Sequence, residues 1–164
     1  MQIILSQQEI DQKITRLAHQ IIENTFEEKA LFIGGICGNG LLLAEKIKEI
    51  ISKNSDQEIT VFEILVNKIE PWSEEIKLSV PQELIKNGYL IMIDDVINSG
   101  KTMQYALVKL LEQSTKAIKT VVLVDRSYRT YPIKADFVGI SLSTTLQERV
   151  EVNFSDSNSY AYLI

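Results

Sequence analysis

Apolar positions along the chain fall into two rhythms, a three-to-four residue spacing and short unbroken runs, and the two alternate. Residues 6–26 open on S-x-x-E (Ser6, Glu9), the capping-box signature, and then place Ile10, Ile14, Leu17, Ala18, Ile21 and Ile22 on one face, which predicts a helix. Residues 30–36 (ALFIGGI) are a short apolar run ended by glycines. Residues 41–51 return to helical spacing through Leu42, Leu43, Ile47 and Ile50. Residues 59–66 (ITVFEILV), 89–94 (YLIMID) and 120–125 (TVVLVD) predict further strands, with a helix at 103–113 between the last two. Strands that alternate with helices require crossover connections, and strands buried on both faces read as unbroken apolar runs. The predicted class is therefore α/β, a mainly parallel sheet flanked by helices. Residues 137–142, 149–154 and 160–163 predict short strands at one edge of it. Between 67 and 81 the rhythm breaks into NKIEPWSEEIKLSVP, too polar and irregular for core, which predicts a flexible loop or exposed hairpin able to cover a site. No repeat and no linker rich in Pro, Gly or Ser divides the chain, so residues 1–164 read as one domain.

Composition agrees with this picture and narrows the setting. With 45% apolar and 24% charged residues in 164, the chain has the make-up of an ordinary globular domain that can bury a core without metals or disulfides. The single cysteine, Cys37, has no intrachain partner, and the N-terminal MQIIL turns polar where a signal peptide would stay apolar, which predicts a cytoplasmic protein. No apolar stretch approaches the ~18 residues that a membrane span needs. A net charge of −5 opposes a broad electrostatic footprint, so RNA is disfavoured as a partner.

Candidate chemistry concentrates at residues 90–102, LIMIDDVINSGKT. In an open parallel sheet, ligands bind beyond the carboxyl ends of the strands, and Asp94 and Asp95 follow a buried one. Burying an unpaired carboxylate costs several kcal/mol, so at least one must meet a partner or water at the strand tip. Two adjacent carboxylates there can accept from ribose hydroxyls and approach a magnesium ion directly or through water. Asn98, Ser99, Gly100, Lys101 and Thr102 then open a helix, where free backbone N–H groups and hydroxyls suit a phosphate dianion. The plain alternative is that the acids end a strand and Asn98 or Ser99 caps a helix. A nucleotide-triphosphatase P-loop does not fit, because that loop needs glycine where Asp95 stands.

The string of four apolar positions, two acids, two apolar positions and a small-residue loop ending Ser-Gly-Lys-Thr resembles the phosphoribosyl pyrophosphate motif of type I phosphoribosyltransferases. Residues 14–24 (ITRLAHQIIEN) and 122–139 (VLVDRSYRTYPIKADFVG) are similar to the bifunctional pyrimidine operon attenuator and uracil phosphoribosyltransferase branch, and the likeness covers nearly the whole chain. The resemblance implies the type I phosphoribosyltransferase fold with a small hood over the base, formed by residues from about 125 to 145. It implies Mg2+ as cofactor and phosphoribosyl pyrophosphate, or a nucleoside monophosphate, and a nucleobase as ligands. Asp94 and Asp95 would hold the ribose diol and the metal and serve as the catalytic pair, and residues 98–102 would hold the 5′-phosphate. Asp125, Arg126, Ser143 and Thr144 would contribute to the hood, and Gly35, Ile36, Cys37, Gly38, Asn39 and Gly40 align with the pyrophosphate loop. A homo-oligomer is expected, with Trp72 as one candidate contact.

Three departures from the pattern bear on activity. Cys37 and Asn39 stand where lysine and arginine are expected, so a charge-assisted contact worth about 1.5–3 kcal/mol is missing from the pyrophosphate loop. The 67–81 loop carries Glu70, Glu74 and Glu75 against Lys68 and Lys77, an acidic lid for an anionic substrate. Asn98 occupies the place of the aspartate that acts as general base in purine-salvage relatives, which disfavours 6-oxopurines. Three readings follow: transfer of 5-phosphoribosyl to a base, uracil-like pyrimidines ahead of purines, with release of pyrophosphate; a weakly catalytic or non-catalytic sensor of the sugar phosphate; and an RNA-binding operon regulator. Arg126 and Arg129 reach ligand or pair with Asp125 or Asp136. Cys37 fills a tight turn or carries an activated thiol, and His19 is a helix-surface residue.

Overall fold

The computed structural model describes residues 1–143 and 148–164. The first element is a short strand, β1 (Gln2–Leu5), followed by α1 (Gln7–Asn24). The capping box forms as the spacing predicts: Glu9 N–H donates to Ser6 Oγ at 3.3 Å and Ser6 N–H to Glu9 Oε2 at 2.8 Å. Then come β2 (Ala30–Ile36), α2 (Asn39–Asn54), β3 (Glu58–Leu65), the two-residue β4 (Lys77–Leu78) and the single turn α3 (Gln82–Ile85). The chain continues through β5 (Tyr89–Ile97), α4 (Lys101–Leu110), β6 (Ala117–Asp125), β7 (Phe137–Ser141), β8 (Val150–Asn153) and β9 (Tyr160–Leu163).

Six strands form one sheet in the order β4-β3-β2-β5-β6-β7, parallel except for β4, which folds back antiparallel on β3. Alternate residues of one strand feed opposite layers. Ile91 and Ile93 of β5 join Leu17, Ile21, Leu43 and Ile47 beneath α1 and α2, whereas Leu90 and Met92 join Phe62, Met103 and Ala106 on the other face. Burial on both sides is why β5 reads as an unbroken apolar run. Each fully buried Leu or Ile contributes about 1.5–3 kcal/mol of apolar transfer.

Two expectations change. The last three stretches do not share an edge: only β7 joins the main sheet, beside β6, while β8 and β9 pair with β1 in a separate antiparallel sheet, β1-β9-β8. A strand of four residues has too few side chains to declare its partner, and β1 was hidden in a terminus that reads only as apolar. The third strand is also longer than 89–94. It runs to Ile97, with Asp94 opposite Val122 and Val96 opposite Val124, so both acids lie within the ladder and not after it. Their carboxylates make this possible: Asp94 Oδ1 accepts from Asp95 N–H at 2.9 Å and Asp95 Oδ1 from Val96 N–H at 2.8 Å. Residues 67–81 include both the connection of the β3–β4 hairpin and β4 itself, and lead through Pro81 into α3.

Candidate active site

Parallel strands β2, β3, β5 and β6 end at the same edge of the sheet, and the candidate residues meet there. A cleft of two adjoining cavities, about 160 and 460 Å3, shares Lys68, Asp94, Val96, Asn98 and Thr102. One cavity extends along Ser99, Gly100, Lys101 and Met103, the other to Asn39, Asp95 and the β8 residues Val150, Glu151 and Val152. The small sheet therefore walls the cleft on the side away from α4.

The α4 end of the cleft is shaped by one left-handed residue. Gly100, with φ 85° and ψ 0°, is the cap of α4; the turn it makes places the start of the helix along the cavity, with Lys101 N–H donating to Ser99 Oγ at 3.2 Å. The preceding carbonyls are tied backwards. Arg129 Nη1 donates to Asn98 O at 2.7 Å, and the N–H groups of Thr130 and Tyr131 donate to Ser99 O at 3.0 and 3.1 Å. The Asn98 and Ser99 carbonyls are thus taken up by donors of the protein, and the helix start keeps the polarity that suits an anion. Ser99, Lys101 and Thr102 line the same cavity with two hydroxyls and an ammonium.

At the acid pair, Asp94 is 5% exposed. Burial pushes its carboxyl well above the ordinary carboxylate range, the neighbouring Asp95 charge adds to the rise, and the Lys68 ammonium, 3.7 Å from Oδ1, opposes it. Asp95 accepts from Asn39 Nδ2 at 2.9 Å, and the same amide donates to Val152 O at 2.8 Å. Asn39 therefore does not reach into the cleft as a free donor; it bolts the acid pair to β8. Gly38 makes the turn before α2 with φ 85°, and Cys37 points away, its thiol donating to Val66 O at 3.4 Å. As hard oxygen donors, Asp94 and Asp95 fit a magnesium ion that takes its remaining ligands from water and substrate, which is how Mg2+ is usually held. No group of three or more His, Cys, Asp or Glu side chains among the described residues makes a closed metal cage.

The hood residues divide. Arg126, 8% exposed, donates from Nη1 to Asn98 Oδ1 at 2.9 Å and from Nη2 to Glu148 O. A guanidinium only donates, so the Asn98 amide is held with its oxygen toward Arg126 and its NH2 outward. Asp125 Oδ1 accepts from Arg129 Nη2 and Ser127 N–H, both at 2.8 Å. Ser143 is exposed beyond β7, and Thr144 lies outside the described residues. The acidic lid is less hostile than its sequence suggests, because Glu75 pairs with Lys109 at 3.7 Å and Glu74 and Glu75 line a separate cavity. Two contacts had no counterpart in the sequence reading. Lys68 enters the cleft from the tip of β3, and Lys101 Nζ reaches across to donate to Ile69 O at 3.3 Å while lying 5.4 Å from the Trp72 ring. The neighbouring strand tips were the available signal for Lys68, since it follows β3 as Cys37 follows β2.

The phosphoribosyl transferase domain family matches residues 2–154 of this arrangement. The chain belongs to the phosphoribosyltransferase family. In sequence it is 32% identical to the bifunctional protein PyrR of Macrococcus caseolyticus, over 92% of this chain and 90% of that protein. It is 35% identical to PyrR of Staphylococcus epidermidis with the same coverage. In fold it superposes on the hypoxanthine phosphoribosyltransferase of Trypanosoma cruzi with a TM-score of 0.75, covering 98% of this chain and 95% of that one at 14% identity. The hypoxanthine-guanine phosphoribosyltransferase of Bacillus anthracis gives 0.71, over 87% and 82%, at 19% identity. The phosphoribosyltransferase fold expected from residues 90–102 is thus established. The domain has no helix, among the described residues, long and apolar enough to cross a membrane.

Proposed function

We propose that this phosphoribosyltransferase transfers the 5-phosphoribosyl group from phosphoribosyl pyrophosphate to a nucleobase, pyrimidines ahead of purines, with release of pyrophosphate. The observation that carries the reading is one continuous cleft with a carboxylate pair at one end and a donor-lined helix start at the other. The N–H groups and hydroxyls of residues 99–102 bind the 5′-phosphate, and Lys101 supplies its counter-charge. Asp94 and Asp95 accept from the ribose hydroxyls and fix the ring. A base nitrogen then attacks C1 as the bond to the diphosphate oxygen breaks, through an oxocarbenium-like transition state, and the proton it carried passes to solvent or to the departing diphosphate. Positive charge develops on the sugar beside two carboxylates fixed in a buried strand, so positioning and electrostatics supply the rate without a covalent nucleophile. Magnesium, when bound at Asp94 and Asp95, would neutralise charge on the leaving diphosphate. At the base, Asn98 offers N–H donors where a general base would need an acceptor. That favours a base presenting a carbonyl oxygen or an unprotonated nitrogen there.

A sensor that binds the sugar phosphate without turnover is the second reading, favoured by the use of Asn39 as a structural tie rather than a diphosphate ligand. A pyrophosphate-release assay with phosphoribosyl pyrophosphate, magnesium and a panel of bases separates the two. Turnover with a pyrimidine, lost in Asp94→Asn/Asp95→Asn, is the expected result. Retained ligand binding with no turnover on any base would sink the enzyme and leave the sensor.

A further inference from the structure

Residues 35–40 carry no cationic side chain, yet one arrives beside them from another element. Lys68 Nζ lies 3.7 Å from Asp94 Oδ1, and a methyl group on Gly38 would come within 3.9 Å of the same nitrogen. The backbone that presents it is anchored on both sides. Asn67 Oδ1 accepts from the N–H groups of Ile69 and Glu70 at 3.0 Å each, and Ile69 O accepts from Lys101. The side chain is 40% exposed and faces both halves of the cleft.

We propose that Lys68 is the diphosphate-binding cation of this chain, brought by the β3–β4 connection to the loop that has none of its own. The inference rests on the phosphoribosyl reading above. Most other cations nearby are committed elsewhere: Arg126 to Asn98 and Glu148, Arg129 to Asp125 and the carbonyls of Asn98 and Ile133, and Lys101 to the phosphate end and Ile69; Arg149, exposed just before β8, lines only the second cavity, whereas Lys68 lines both. Asn39 cannot take the role while its amide hydrogens serve Asp95 and Val152. An ammonium on a flexible four-carbon stem, half in solvent, turns from Asp94 to a diphosphate oxygen by rotamer change alone, and three donors suit a ligand that is all acceptor. Against Asp94, Lys68 balances part of the acid charge; with diphosphate present, it meets a ligand of higher charge at the same place.

Calorimetry on the full chain with magnesium pyrophosphate and, separately, with ribose 5-phosphate tests this. The wild type is expected to bind both. Lys68→Gln should lose about ten- to a hundred-fold in pyrophosphate affinity, the range of one charge-assisted contact, while binding ribose 5-phosphate within about threefold of wild type. Lys68→Arg, which keeps the charge, should recover most of the loss. Pyrophosphate binding by Lys68→Gln equal to wild type would overturn the assignment, and so would an equal loss for both ligands, which marks a purely structural lysine. A wild type that binds ribose 5-phosphate alone overturns Lys68 and leaves the sugar-phosphate reading standing. Binding of neither ligand overturns both.

Discussion

Gly100 offers a quantitative test of how the α4 end of the cleft is built. Replacing it with alanine asks an L residue to hold φ 85° at the start of α4, in the left-handed region, which costs about 1–2 kcal/mol. The new β-carbon would also stand 2.3 Å from Ile133 Cγ2 and 3.2 Å from Arg129 Cδ. Ile133 is 8% exposed and β-branched, so it cannot swing aside, and overpacking of this kind costs about 1–3 kcal/mol. The two effects together give a loss of about 2–5 kcal/mol. For a domain of 164 residues that is a fall in Tm of roughly 4–20 °C. Urea unfolding followed by circular dichroism, with an unchanged m-value, measures the difference directly. A double-mutant cycle then divides it. Ile133→Ala is destabilising alone, by about 2–4 kcal/mol for the cavity, but on that background Gly100→Ala loses only the backbone strain. A Gly100→Ala loss below about 0.5 kcal/mol, the range of neutral surface changes, would refute the strained geometry. Strict additivity in the cycle would refute the Ile133 contact.

Two further outcomes follow from the same cleft. The Asp94 carboxyl is raised in the fold by burial and by Asp95, so its protonated form is favoured there; that contribution is fully present below the unfolded value of 3.8 and is lost as pH rises through the folded value. Asp94→Asn should therefore gain stability relative to wild type as pH rises from 4 toward 8 in urea titrations, while losing ribose 5-phosphate binding; a gap that stays flat, or that closes with pH, would contradict the buried-acid account. Trp72 is the only tryptophan, and Lys101 Nζ lies 5.4 Å from its ring, so ribose 5-phosphate should change its emission saturably by drawing the ammonium away, and Lys101→Gln should abolish the response. Constant emission alongside calorimetric binding would show that Lys101 does not change partner.

Much of the architecture was legible because its signals are local. Ser6 and Glu9 declare the start of α1, and buried parallel strands announce themselves as apolar runs because both faces of β2, β5 and β6 are covered. The site was legible at residues 94–102 because strand, acids, glycine and helix start are contiguous in the chain, so sequence order is also spatial order. Where contact depends on distant segments, the reading was incomplete. Asp94 and Asp95 were expected beyond the strand, but the pairing of Val96 and Ile97 with β6 draws both acids inside it. The strands β8 and β9 were recognised, but not β1, the second partner of β9, more than 140 residues away.

The sequence by itself determined the fold class, the core strands and the contiguity of the acid pair with the glycine turn and helix start of residues 98–102, since these depend on periodicity and on neighbours within a dozen residues. Only the tertiary structure decided what Asn39, Arg126 and Lys68 do. Asn39 looked like a missing cation and is a tie from Asp95 to β8; Arg126, equally suited to a ligand or an ion pair, sets the orientation of the Asn98 amide. Lys68 looked like a minor charge in an acidic loop and lies against the buried Asp94. A polar side chain takes its role from the donors and acceptors around it, and those are assembled by strand order, which brings the tip of β3 beside β2 and β2 beside β5.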